Sequence, residues 1–145
     1  MLFENFFKKP KKVAVFVDGP NMIRKGSKVD LAVVLSEVKK YGDPVIANVY
    51  LDQYASDKLI EAVINQGFSP VISSGDVDVT MATDSVFFAT TRKDLTGIVF
   101  VTRDTDFVPA IRRCKEIGKE IIIIGIEHGF SAALRHYADK LVLMK

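Results

Sequence analysis

Short β-branched apolar runs alternate with helix-spaced stretches from residue 12 to the end of this chain, and no other feature restricts its fold as much. Strand-type runs cover residues 12–18, 45–51, 70–73, 98–102, 121–126 and 141–144. Between them, apolar residues recur at helical intervals. Leu31, Val34, Leu35 and Val38 mark a helix over 31–41, with Asp30 placed to cap it and Gly42 to stop it. Leu59, Ile60, Val63 and Ile64 mark a second, capped by Ser56 or Asp57 and ending before Gly67. Helices over 79–91, 108–117 and 131–137 follow. Such strict alternation predicts a doubly wound parallel sheet with right-handed crossovers, the run at 70–73 lying at its edge.

In an open parallel sheet the strand C-termini converge on one rim, and ligands collect where the strand order reverses. Aspartates gather at those strand ends: Asp18 in VAVFVDGPN, Asp76 and Asp78 in VISSGDVD, and Asp104 and Asp106 in IVFVTRDTDF. Carboxylates crowded on one rim repel one another unless a hard cation such as Mg²⁺ or Mn²⁺ offsets their charge. The pattern therefore predicts an acidic pocket for a divalent metal.

Composition places the chain among ordinary globular domains. With 145 residues, 48% of them hydrophobic, it has material for one core and not for two. The expected organisation is a basic N-terminal arm over residues 1–12 and one domain over 13–145. In the arm, Leu2, Phe3, Phe6 and Phe7 precede Lys8, Lys9, Lys11 and Lys12, the reverse of a secretory signal's order. No apolar run approaches the roughly 18 residues of a membrane span. A single cysteine, Cys114, excludes an intramolecular disulfide framework and fits a reducing cytoplasm. It falls within a helical stretch, which predicts a small core residue rather than a nucleophile. The net charge of +2 does not by itself identify a nucleic-acid partner, yet the surface away from an acidic pocket is more basic than that total.

Three segments carry the candidate chemistry. Asp18 ends an apolar strand and is followed by Gly19-Pro20-Asn21, so Asn21 stands ready either to orient Asp18 or to meet a substrate; the alternative is a turn in which Asp18 caps the backbone of residues 20–22. In GDVDVTMATD, Asp78 lies where a helix begins and suits an N-cap, while Asp84 lies in the second turn among Met81, Val86, Phe87 and Phe88. Residues 80, 84 and 88 share one face of that helix. Asp76 is a loop aspartate of weaker claim. In TRDTDF, Asp104 faces the rim from a strand end, and Asp106 either joins the metal or caps the helix beginning near Phe107.

Together these segments resemble the NYN domains, a branch of the PIN-like ribonucleases. The family's Asp-x-x-Asn, its Val-Asp with an in-helix Asp, and its Ser-x-Asp-Ser-Asp-Phe stand here as Asp18 to Asn21, Val77-Asp78 with Asp84, and Thr102 to Phe107. The likeness continues through Gly118-Lys119 to Ser131, Leu134 and Ala138-Asp139. Two departures occur: Asp76 replaces a frequent lysine, and Thr102 replaces a serine while keeping the hydroxyl. The resemblance implies a Rossmann-like, PIN-type three-layer α/β sandwich with a parallel sheet of order 3-2-1-4-5 and helices on both faces. It also implies hydrolysis of RNA with Mg²⁺ or Mn²⁺, Asp18 and Asp104 being the primary ligands and Asp84 and Asp106 completing the set. Asn21 and Ser131 then meet substrate, and Arg24, Lys25, Lys28 and Arg103 grip phosphates. Arg92 and Lys93 are further cations near the site. RNA is the implied partner, and pairing with a second copy of the chain stays open.

Two other readings compete. The fold can serve as an RNA-binding or partner-recruiting module without catalysis. An acidic-pocket phosphotransfer domain would need a lysine at the end of the strand at 121–126, and none stands there. His128 follows that strand as a loop residue on the expected rim, and His136 lacks a partner at metal-ligand spacing. Tyr41, Tyr50 and Tyr54 read as packing residues rather than base-stacking platforms.

Overall fold

The computed structural model describes residues 10–24 and 29–145, Arg24 by its backbone alone. Six strands form one wholly parallel sheet: β1 (Lys12–Asp18), β2 (Asp43–Asp52), β3 (Ser69–Ser73), β4 (Gly97–Val101), β5 (Glu120–Ile126) and β6 (Lys140–Met144). Their spatial order is β3-β2-β1-β4-β5-β6. The terminal strand thus extends the implied order 3-2-1-4-5 by one, pairing Ile122 to Ile126 with Lys140 to Met144. β1 and β4 lie side by side at the centre, with Phe16 beside Phe100 and Val17 beside Val101. From β1 the chain winds outward through β2 and β3; it then returns to β4 and winds the other way. The reversal lies between β1 and β4.

The central strands are unbroken apolar runs because both of their faces are covered. Val13, Val15, Val17, Val99, Val101, Ile122 and Ile124 point to one face, packed beneath α1 (Leu31–Val38) and α2 (Asp57–Asn65). Ala14, Phe16, Ile98, Phe100, Ile121 and Ile123 point to the other, beneath α3 (Val77–Thr91), α4 (Val108–Ile117) and α5 (Ala132–Tyr137). Phe16, Phe100 and Ile121 to Ile124 are wholly buried, each large side chain contributing about 1.5–3 kcal/mol of transfer free energy. Cys114 belongs to the second layer, where burial pushes its thiol up to about 11 and its Sγ contacts the Ser85 carbonyl at 3.7 Å. That thiol is packing material.

Local signals set most boundaries. Asp30 accepts from the Ala32 N–H at 2.9 Å, Ser56 from Leu59 at 3.1 Å and Ser131 from Ala133 at 3.1 Å, each satisfying a helix N-terminal donor. α1 is shorter than the predicted 31–41, because the chain tightens into a turn at Lys39 to Tyr41, with Tyr41 N–H bonded to the Val38 carbonyl at 2.8 Å. β2 is longer than predicted and begins at Asp43, whose N–H is bonded to the Lys11 carbonyl at 2.9 Å. α3 begins two residues earlier than predicted. Asp76 caps it by accepting from the Asp78 N–H at 3.0 Å, which leaves Asp78 inside the first turn with its own carboxylate unspent on capping. No helix among the described residues is long and apolar enough to cross a membrane.

Candidate metal centre

Side-chain alternation along a strand puts Ala14, Phe16 and Asp18 on one face, so the residue after the apolar pair meets the α3–α4 layer as a carboxylate. Thr102 continues the same face beyond β4, as Tyr50 does near the end of β2. The row of strand C-termini is thus polar where the core ends. Gly19 permits the turn that follows: a Cβ there would overlap the Tyr50 carbonyl oxygen and come within 2.7 Å of Leu51 Cδ2. Residues 20–24 then wind into a single π-helical turn that brings Asn21 back over Asp18.

Asp18 is completely shielded from solvent. Asn21 Nδ2 donates to its Oδ2 at 2.7 Å, and the Thr102 hydroxyl donates to the same oxygen at 3.1 Å. Thr102 in turn accepts the Asp104 N–H at 3.0 Å, and Asp104 Oδ1 accepts the Asp106 N–H at 2.8 Å at the head of a short 3₁₀ turn over Thr105–Phe107. The hydroxyl at position 102 thus ties the first aspartate segment to the third. Asp18 Oδ1 receives only a long 3.4 Å contact from the Asn21 N–H and keeps acceptor capacity.

Asp18, Asp78 and Asp104 each offer an oxygen, and these oxygens lie within 4.8 Å of one another. At that separation each charged pair repels by about 3 kcal/mol, taking an effective dielectric of about 20. Burial, with this repulsion added to it, raises proton affinities. Burial raises the Asp18 carboxyl above its usual range, against the hydrogen bonds from Asn21 and Thr102 that favour the anion. Asp78 is pushed up to about 7, first by desolvation and then by the charges of Asp18 and Asp104; protonated, it hydrogen-bonds to Asp104. Without a cation the cluster holds a proton near neutral pH. The donor set consists of hard oxygens, with three potential negative charges and no ion-paired cation among the described residues. It suits Mg²⁺ or Mn²⁺ far better than a thiophilic metal.

Asp84 is not one of these three. Six residues along an α-helix separate two positions by about 9 Å along the axis and about 120° around it, so Asp78 and Asp84 address different neighbours. Asp84 Oδ2 accepts the Tyr50 hydroxyl at 2.7 Å, and Tyr50 accepts Asn48 Nδ2 at 3.2 Å. Burial, with Asp84 as acceptor, raises the Tyr50 phenol above its ordinary range and keeps it a donor. Asn48 and Tyr50 have no counterpart in the acidic segments read from sequence. Their signal was the β2 alternation that turns them, with Ile46, toward α3. Thr80 bonds Ser73 at 2.8 Å and Phe88 stacks on Phe16 at 6.1 Å, so the face shared by 80, 84 and 88 packs onto the sheet.

Asp106 is exposed and outside the three-oxygen group, its N–H closing the turn on Asp104. Asp76 is the exposed cap of α3. Ser131 directs its oxygen to the Ala133 N–H. Arg103 is half-buried and, with Asn21, Asp104, Thr105 and Gly129, lines an open cleft of about 370 Å³ beside the cluster. Arg92 pairs with Asp94 at 2.8 Å. His128 is exposed, and Tyr54 is solvent-facing at 76% exposure rather than packed. The expectations for Lys25, Lys28, the Arg24 side chain and residues 1–9 of the arm lie outside the described residues.

A parallel α/β sandwich with a carboxylate pocket at its strand-order reversal matches a class, the PIN-like nuclease fold, and its three clustered carboxylates could hold a metal ion. The chain belongs to the NYN domain family, whose family model matches residues 12–145. It is similar to an uncharacterized protein of Methanocaldococcus jannaschii, 53% identical over 131 residues. That match takes in 90% of this chain and 54% of the relative, so the chain spans about half the length of the curated relative it matches. Its fold is that of a crystal structure of a protein of unknown function from Vibrio parahaemolyticus, with a TM-score of 0.82, 20% identity and 95% of each chain covered.

Proposed function

We propose that this chain hydrolyses RNA phosphodiester bonds with Mg²⁺ or Mn²⁺ held by Asp18, Asp78 and Asp104. The observation that carries the reading is the meeting of three carboxylates from three separate elements within 4.8 Å, at the rim where a parallel sheet takes its ligands. A bound divalent ion would activate water and offset charge on the phosphate and leaving oxygen. Family membership supports RNA as substrate.

The chain's own residues have separable tasks in this reading. Asn21 and Thr102 favour the Asp18 anion, against the cost of its burial, by donating to one oxygen, and the other oxygen would be left to hold the ion. Thr102 also fixes the backbone that presents Asp104. Asp78 would give up its proton to serve as a ligand of a bound metal. Asp106, exposed beside Asp104, reaches the site through water. Asp84 acts from behind, bracing α3 against β2 through Tyr50. Ser131 and the cations Arg24, Lys25 and Lys28 remain proposed substrate contacts on the same rim.

The test is cleavage of single-stranded and structured RNA by nuclease-free preparations. Turnover is expected with Mn²⁺ or Mg²⁺, none with EDTA, and none for Asp104→Asn. Metal-dependent binding of RNA without cleavage across varied substrates would replace this reading with that of a binding module.

A further inference from the structure

The cleft beside the acidic cluster contains a cation whose donors are unspent. Arg103 is half-buried, follows the Asp18-bound Thr102 and precedes Asp104, yet it makes no ion pair or hydrogen bond among the described residues. Its neighbours in the cleft are bonded to other groups: Asp104 Oδ1 accepts the Asp106 N–H at 2.8 Å, and Asn21 Nδ2 donates to Asp18 at 2.7 Å. A guanidinium carries five N–H donors in a fixed fork suited to phosphate. Gly129 also lines this cleft, at φ +74 in the left-handed region that favours glycine, with open space where a Cβ would stand. On the other flank of the cluster, exposed Asp76 adds negative charge beside Asp78 at the start of α3. Phosphates are repelled there and attracted over the Arg103 side.

Building on the ribonuclease reading, we infer that Arg103 anchors a non-scissile phosphate of the RNA, with the cleft between Arg103, Thr105 and Gly129 taking one adjoining nucleotide. The substrate therefore leaves the metal cluster over the β4–β5 side of the rim and not over β2–β3. Arg103 acts in grip and direction; the reacting phosphate remains with the aspartates.

The experiment uses the full chain and a short fluorescent single-stranded RNA. Binding is read by anisotropy with Ca²⁺ in place of Mg²⁺ at several salt concentrations, and single-turnover cleavage is followed with Mg²⁺. Arg103→Ala is expected to weaken binding about tenfold or more and to lower the salt slope by about one, with unchanged melting temperature and a maximal cleavage rate within about threefold of wild type. Arg103→Lys is expected to restore the slope and only part of the affinity, because a point charge replaces the bidentate fork. An Arg103→Ala protein with wild-type affinity and slope, cleaving RNA normally, overturns this inference and leaves the ribonuclease reading standing. A wild-type chain that neither binds nor cuts RNA overturns both.

Discussion

Replacing Asp78 by Asn should make the metal-free protein more stable at alkaline pH and leave it unchanged in acid. Asp78 titrates near 3.8 in the unfolded chain and is pushed up to about 7 in the native cluster. The folded state therefore binds this proton more tightly. Its stabilising contribution is fully present below about pH 3.8, falls as pH rises, and is lost once pH passes about 7. At about 1.4 kcal/mol per pH unit the whole shift corresponds to roughly 4 kcal/mol, and screening at a rim that water and salt reach reduces this to about 1–2 kcal/mol. Asparagine imitates the protonated carboxyl, since its amide can donate to Asp104 as the carboxyl proton does. In EDTA at pH 8, Asp78→Asn should melt about 3–6 °C above wild type, and at pH 4 the two should coincide. Mg²⁺ should reverse the order, stabilising wild type through binding to the native state more than the variant. The assay is thermal melting at both pH values with EDTA and with Mg²⁺. An Asp78→Asn protein less stable than wild type at pH 8 in EDTA would refute this argument from burial and repulsion and identify Asp78 as a structural residue of α3.

Two further substitutions probe the scaffold. Tyr50→Phe removes the hydroxyl between Asn48 and Asp84 and should cost about 1–3 kcal/mol, while leaving the Mn²⁺ midpoint unchanged because Tyr50 braces α3 and holds no metal; denaturant melts of Tyr50→Phe, Asp84→Asn and the double variant should show less than additive loss. Gly19→Ala forces a methyl onto the Tyr50 carbonyl and Leu51, so urea titration should show a loss of about 1–3 kcal/mol, with weakened Mn²⁺ binding as Asp18 is displaced.

The alternation of apolar runs and helical stretches made the layered parallel fold legible, because both faces of β1, β4 and β5 are covered and leave no polar positions to confuse the pattern. Asp18 and Asp104 were legible for the same reason: each follows such a run, where the chain must emerge on the rim. The second carboxylate segment was harder. A helix start placed at residue 79 makes Asp78 a cap and turns attention to Asp84, whereas capping by Asp76 moves the start to Val77 and frees Asp78 for the cluster. A shift of two residues in the helix start thus changes where three aspartates stand relative to its first turn. The Tyr50–Asp84 contact joins residues 34 apart in sequence, and no local pattern encodes which polar side chain meets which across layers. The bond from Thr102 to Asp18 was not read from sequence either, although the motif kept a hydroxyl at that position just beyond an apolar strand.

The central claim is tested most directly by locating Mn²⁺ through its anomalous scattering in crystals of the protein. The account predicts an ion coordinated by Asp18, Asp78 and Asp104 together, with Asp84 still bonded to Tyr50. Manganese bound elsewhere, or bound at this rim without Asp18 and Asp104, would contradict it.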